Sequence, residues 1–487
     1  MSKIMEKLKN FFFTNTNTKQ TIIKNTFWLF LGEGVGRILK LAIIIFATRK
    51  LGVEGWGVFS YGLAFVSLFF ILGDFGINTF ITKEMSKDNA NRHKYLATSS
   101  MIRIVLLMIF FTVALLVAPD LGKIKLSFGM IFIFATFYLF ESIREFAMSI
   151  NRSLQKMEIE GFSKILISLL ITILGLILLS KNANPISLAT AYMIGSISAT
   201  IYIVWSIRKE FKEVRWKFSK ENFKIIYNFS WPVVIIGLFG FLFSLDTIML
   251  GQMRSATDVG LYTTAQRLIS FLSIVPGFIA ISIFPILSKN ADDTNKLCNI
   301  FEKVMTMILA MGIPITIGGI IFSKQITLLI LGQSYIAVAS VFAILMVSIL
   351  ASFPNIFLIN LIFSKNLQRG FITTTAFGVF LNIFLNFLLI PKYGALGAAI
   401  STVIAELVIM GSNWKRLKKF IPFSVMPKLG KICISSIVMT IAILLLNLTG
   451  MNFIINILLA IIIYFVSLKI LKEQAFDEIL LLVKTAK

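Results

Sequence analysis

The chain has a single histidine and two cysteines among its 487 residues. His93 lies in a loop, and Cys298 and Cys433 sit beside or within apolar runs. No disulfide framework and no CxxC metal pair can be drawn from them, so neither metal chemistry nor a cofactor is expected. Acidic residues are also scarce. There are 23 Asp+Glu against 47 Lys+Arg, a formal charge of +24. Charged residues of both signs make up only 14% of the chain, where a soluble protein carries about 25%. Hydrophobic residues make up 57%.

Long polar stretches are missing too. Apolar runs of bilayer-spanning length recur from end to end, and about fourteen can be delimited. They cover roughly 25–48, 57–80, 95–118, 127–150, 162–180, 187–207, 225–250, 258–287, 298–322, 335–363, 371–390, 394–411, 429–447 and 453–471. The first run follows a polar basic leader and is too long for a cleaved signal peptide, so it reads as a retained span. Pro119, Pro185 and Pro391 fall at the ends of runs, as helix punctuation. Pro314 and Pro354 fall inside runs, where spanning helices tolerate kinks.

An excess of basic residues in a soluble protein would suggest nucleic acid. Here lysine and arginine collect in alternate loops, as they do on the cytoplasmic side of membrane proteins, and no nucleic-acid partner is expected. With the N-terminus inside, about 30 of the 47 Lys+Arg fall in inside segments, and both termini are cytoplasmic. The protein is thus expected in the cell membrane. No outside turn exceeds about a dozen residues under that orientation. A glycan polymerase or ligase with a large extracytoplasmic reaction loop does not fit, and no enzyme is expected.

The chain also repeats itself. A shift of 203 lays Gly57-Val58-Phe59-Ser60 on Gly260-Leu261-Tyr262-Thr263, and a similar shift lays Pro185 and the small residues after it on Pro391 and Gly394–Ala399. The expected architecture is an all-α polytopic membrane protein with two pseudo-symmetric six-helix lobes, 25–207 and 225–411. A leader (1–24), a basic linker (208–224), a basic loop (412–428), two added helices (429–471) and a tail (472–487) complete it.

A charge at mid-bilayer costs about 3 kcal/mol, so charges inside spans are the best pointers to function. Span one carries Glu33, Arg37 and Lys40 on one helical face amid glycines. A cavity-lining arginine and a self-neutralised Glu33–Arg37 pair both fit that spacing. In span two, Ser60, Ser67, Asp74 and Asn78 share one face, as cavity lining would. Span eight carries Thr263, Gln266, Arg267 and Ser270 as a stripe, with no carboxylate spaced to neutralise Arg267 in its own helix. Arg103 in span three lies near the inner surface, within snorkelling reach. Glu141, Arg144, Glu145 and Arg152 in span four read as a structural charge network or a cytoplasmic gate. Buried carboxylates such as Asp74, Asp246 and Glu406 are groups able to carry H+ or coordinate Na+ as a coupling ion. Guanidinium forks suit phosphate and pyrophosphate, which points to an anionic substrate.

The stretch Arg49-Lys50-Leu51-Gly52-Val53-Glu54-Gly55-Trp56-Gly57-Val58-Phe59-Ser60, with Asp74-Phe75-Gly76-Ile77 and Thr82-Lys83-Glu84, resembles the start of polysaccharide-export flippases. Pro391-Lys392-Tyr393-Gly394-Ala395-Leu396-Gly397-Ala398-Ala399 adds to the likeness. These flippases belong to the multidrug/oligosaccharidyl-lipid/polysaccharide exporter superfamily. The resemblance implies a two-lobed bundle with two extra helices. It also implies alternating-access movement of a polyprenyl-(pyro)phosphate-linked oligosaccharide from the inner to the outer leaflet. Membrane lipids would be partners, and glycosyltransferases or a glycan polymerase would work alongside.

Arg37 and Arg267 look like the cavity arginines of related lipid II flippases. An arginine on the second helix, also seen in that branch, has no counterpart here. The substrate-contact set expected from residues and resemblance together is Arg37, Arg267, Glu33, Lys40, Arg103, Asp74, Asn78 and Gln266. An ion-coupled drug antiporter of the same superfamily is the rival; it would favour twelve spans and acidic rather than basic central residues.

Overall fold

The computed structural model describes residues 12–87, 92–212, 214, 216–242, 245–290, 293–365 and 367–473. Among these residues the chain folds into helices and short turns, with no strand. Among the described residues each apolar run expected above is mainly helical, but several are broken. The first two runs form α1 (Thr18–Phe70), whose two limbs meet at Gly52, where φ is +68°. Glycine enters that left-handed region without steric cost, so the tight turn between the limbs falls at this position.

A 3-10 turn (Ile71–Gly73) and α2 (Ile77–Lys87) follow, then α3 (Arg92–Leu121), whose first turn takes in His93 where a loop was expected, α4 (Phe128–Ser153), α5 (Met157–Lys181) and α6 (Pro185–Phe211). Pro185 is the first helical residue of α6, and the Asn184 side chain accepts the Ile186 N–H. Proline at that position gives up a donor that has no intrahelical partner anyway. Next come α7 (Lys220–Leu242), α8 (Leu245–Met253) and α9 (Ala256–Leu272).

The remaining helices are α10 (Ile274–Lys289), α11 (Thr294–Ile321), α12 (Ser323–Leu331), α13 (Val338–Met346), α14 (Ile349–Ser364), α15 (Gln368–Tyr393), α16 (Ala395–Lys418), α17 (Gly430–Leu448) and α18 (Phe453–Ile470). Pro314 and Pro354 lie inside α11 and α14 without ending them. The bend of 45° in the expected run 335–363 falls instead between α13 and α14. Among the described residues, eight helices are long and apolar enough to cross a membrane, or nine if that bent pair is one span. Most of the other expected runs are cut by breaks or carry clustered charge.

Contacts divide the chain into two compact units, Met1–Gly260 and Leu261–Lys487. In the first, α1 packs along α5, α5 and α4 pack on α6, and α2 and α3 pack on α4. Its inner core gathers Ile77, Phe80 and Ile81 of α2 with Phe146 and Ile150 of α4 and Ile203 and Ile207 of α6. In the second, α15 packs on α16, α14 on α10 and α16, and the terminal pair α17–α18 on α11. The Tyr464 hydroxyl donates to the Ala310 carbonyl at 2.6 Å and pins that pair to α11. Glu302 of α11 accepts from the Ser424 N–H at 2.5 Å and the Lys428 ammonium at 2.6 Å, fastening the segment that leads into α17.

Candidate functional site

The site in the first unit is built on a seam of small residues between α1 and α5. A Cβ added to Gly32 would stand 2.7 Å from the Gly161 Cα, and one added to Gly36 would stand 3.1 Å from the Ser168 hydroxyl. The two backbones therefore approach closely, and the Thr172 hydroxyl, which donates to the Ser168 carbonyl of its own helix at 2.7 Å, also lies 3.1 Å from the Leu39 carbonyl across the seam. Close helix contact of this kind brings the residues flanking the glycines within reach of the facing helix.

Glu33, next to Gly32, stands between two cations. Its carboxylate accepts from Arg37 Nε at 2.8 Å and from Lys164 Nζ at 3.5 Å. Lys164 also meets Glu160, one turn before it on α5, at 3.1 Å. Glu160 takes a two-pronged contact from Arg152, 2.7 Å at each prong. Arg152 reaches Glu145 at 3.8 Å, Glu145 reaches Arg144 at 3.7 Å, and Arg144 closes on Glu141. The pair seen in span one and the cluster seen in span four are thus the two ends of one ladder. It holds Arg37, Lys164, Arg152 and Arg144 against Glu33, Glu160, Glu145 and Glu141, with Lys40 within electrostatic reach of Glu141.

The ladder is driest at Glu160 and wet on both sides of it, since Arg152 and Glu145 are again 32% and 39% exposed. Side-chain exposure falls from 43% at Arg37 and 40% at Glu33 to 26% at Lys164 and 1% at Glu160. A buried ion pair is kept only when hydrogen bonding is good, and the Arg152–Glu160 fork supplies that. Exposed pairs hold weakly, about 0–1 kcal/mol, so the Arg37 end is the exchangeable one. Lys40, three residues on from Arg37 in α1, is exposed.

The stripe expected in span two does not lie along one helix. Ser60 and Ser67 sit in the second limb of α1, but the helix ends at Phe70. Phe75 and Gly76 then take φ of +45° and +68° before α2 starts at Ile77. Asp74 falls in this break. Its carboxylate accepts the Asn78 N–H at 3.2 Å, capping α2, and meets Arg103 Nη1 at 2.6 Å.

Arg103 does not snorkel. It is 3% exposed, and its other terminal nitrogen donates to the Ser142 carbonyl and hydroxyl at 2.7 and 2.8 Å. The break supplies a carboxylate where a continuous helix would not, and the guanidinium turns inward to it. Asn78 is half-buried at the start of α2. Geometry therefore joins Arg103, Asp74 and Asn78 as a clasp across the helix break.

In the second unit, Arg267 is exposed on α9, Gln266 is half-buried beside it, and Thr263 is buried. Among the described residues no carboxylate lies within ion-pair distance of Arg267. Tyr262, on the same helix, lies 2.9 Å from the Thr402 hydroxyl of α16.

Lys164 and Glu160 are the ladder members that the sequence reading left out. Their signal was present as an acidic and a basic residue four apart at the start of a spanning run.

The family described as Polysaccharide biosynthesis protein matches residues 22–291, more than half of the chain. The chain is 22% identical over 430 residues to "Probable low-salt glycan biosynthesis flippase Agl15" of Haloferax volcanii, covering 86% of this chain and 88% of that one. It is 24% identical over 410 residues to capsular polysaccharide biosynthesis protein CapF of Staphylococcus aureus, covering 82% and 100%. In fold it is similar to the lipid II flippase MurJ in an inward closed conformation. The TM-score is 0.75 at 19% identity, over 91% of this chain and 98% of that one. An inward-facing multidrug resistance MATE family transporter of the MOP superfamily matches with a TM-score of 0.65 at 16% identity, over 79% and 94%. With these matches over an all-helical chain of recurrent apolar helices, the protein belongs to the polysaccharide biosynthesis protein family of multi-pass membrane proteins.

Proposed function

We propose that the protein is a flippase for lipid-linked glycans in cell-surface polysaccharide or glycan synthesis. The observation that supports this most directly is Arg37, an exposed guanidinium held by the equally exposed Glu33 at one end of the charge ladder. It has only a weak exposed pairing to lose, so a phosphate or pyrophosphate can engage its fork. Relatives named as a glycan biosynthesis flippase and a capsular polysaccharide biosynthesis protein support the same class of substrate.

In this reading Arg37 and Lys40 contact the phosphate on the first unit, and Arg267 with Gln266 serves as the second unit's own anion contact. The sugars stay in water while the prenyl tail stays in lipid. Movement is from the inner to the outer leaflet of the cell membrane by alternating access, with both termini inside. Glycosyltransferases supply the substrate.

The test is reconstitution. Purified protein in liposomes is expected to move a prenyl-pyrophosphate-linked oligosaccharide across the bilayer at a rate well above that of protein-free vesicles. A rate equal to that of protein-free vesicles contradicts the proposal. Drug efflux from the same vesicles without glycan movement would favour the antiporter reading instead.

A further inference from the structure

We infer that Glu33 is an exchangeable counter-ion that hands Arg37 to the substrate's phosphate and is itself taken up by Lys164. The inference rests on the phosphate-binding reading of Arg37 given above and adds the groups that would set its affinity. Glu33 touches both cations at once, with Oε1 2.8 Å from Arg37 and Oε2 3.5 Å from Lys164. The shorter contact is on the wetter side, and the longer one leads inward. When a phosphate takes Arg37, the carboxylate needs only a small side-chain shift to close the remaining gap to Lys164.

Lys164 can accept it without losing its place. Glu160 holds it from the other side at 3.1 Å, and Glu160 is itself fixed by the Arg152 fork. The glycine seam keeps α1 and α5 backbone to backbone beside this point, so the cation and the carboxylate cannot drift apart. Glu33 neutralises Arg37 when the site is empty, so Arg37 is not left as an uncompensated charge between cycles. An arginine with no counter-ion would hold an anion more tightly and release it more slowly. Glu33 therefore tunes release as well as capture.

The test measures binding of farnesyl pyrophosphate to the detergent-purified full chain, with farnesol as the uncharged control. Exposed pairs contribute about 0.2–1 kcal/mol, so effects of about 1.5- to fivefold in Kd are expected. Glu33→Gln is expected to tighten pyrophosphate binding, because Arg37 loses its competitor. Lys164→Gln is expected to weaken it, because Glu33 then stays on Arg37. Lys164→Arg is expected to restore parental affinity, which a merely structural role for the position would not require. Farnesol binding should not change in any variant.

Three results separate the possibilities. Opposite shifts in Glu33→Gln and Lys164→Gln support the exchange. Loss of pyrophosphate binding in Arg37→Ala with parental affinity in both other variants overturns the exchange and leaves the phosphate site standing. Parental affinity in Arg37→Ala overturns the phosphate site and the exchange with it. Lys164→Gln leaves the Arg152–Glu160 fork intact, so the variant is expected to fold, and its thermal unfolding checks this.

Discussion

Gly57 of the second limb of α1 and Gly260 of α9 lie against each other, and their contacts are reciprocal. A Cβ on Gly57 would collide with the Ala256 carbonyl and stand 3.0 Å from the Gly260 nitrogen. A Cβ on Gly260 would collide with the Val53 carbonyl and stand 3.0 Å from its carbon. The shift of 203 that aligns Gly57 with Gly260 also aligns Val53 with Ala256. The two helix starts thus exchange roles in contact as they do in sequence. Each glycine is there because no side chain fits. Gly57→Ala and Gly260→Ala are each expected to destabilise the protein by about 1–3 kcal/mol, the range for overpacking a tight contact. Thermal unfolding in detergent measures this, and an unchanged midpoint for both would refute the close approach.

The same logic applies to the seam beside the ladder. Gly161→Ala forces α5 off the Trp28 carbonyl region of α1 and lengthens the Glu33–Lys164 contact. It is expected to lower the unfolding midpoint and to loosen farnesyl pyrophosphate binding only to the extent that Lys164→Gln does. Greater loosening would mean that the seam holds more of the site than the ladder.

Much of this was legible in the sequence, and the parts that were not have physical causes. Glu33–Arg37 and Glu141–Arg144 are neighbours within single helices, so spacing alone revealed them. The ladder between them crosses from α4 to α5 to α1, and helix-to-helix reach is not written in any local period. The apolar runs were read as helices and are helical. The break at Asp74-Phe75-Gly76 was missed because the apolar pattern continues through it, although Gly73 and Gly76 flank the aspartate. A stripe that looked like cavity lining became, at Asp74, the anchor of Arg103.

That anchor makes an asymmetric prediction. Asp74→Asn leaves the buried Arg103 guanidinium with Ser142, the Phe146 ring and the field of Glu145 but no paired carboxylate, and breaking a buried pair from one side costs up to about 3–5 kcal/mol. Arg103→Gln leaves Asp74 half-exposed and free to take water, so its cost is expected to be smaller. Denaturant or thermal unfolding of the two variants gives the comparison. Equal costs would mean that Arg103 is not held by Asp74 in the way described.

In the second unit, Tyr464→Phe removes the buried hydrogen bond to the Ala310 carbonyl together with the hydroxyl's contact with Ser436, and keeps the ring in place. A cost of about 1 kcal/mol is expected, with glycan translocation unchanged. Loss of translocation without loss of stability would give the α17–α18 pair a role in transport beyond packing.

The most direct test of the account is translocation of a prenyl-pyrophosphate-linked oligosaccharide by Arg37→Ala in proteoliposomes. Arg37 is exposed and its pair with Glu33 is weak, so the variant is expected to unfold at the parental midpoint. It is expected to move the glycan at least about tenfold more slowly, the loss of about 1.4 kcal/mol that one charge-assisted contact supplies. A folded variant that transports at the parental rate would contradict the assignment of Arg37 as the phosphate contact.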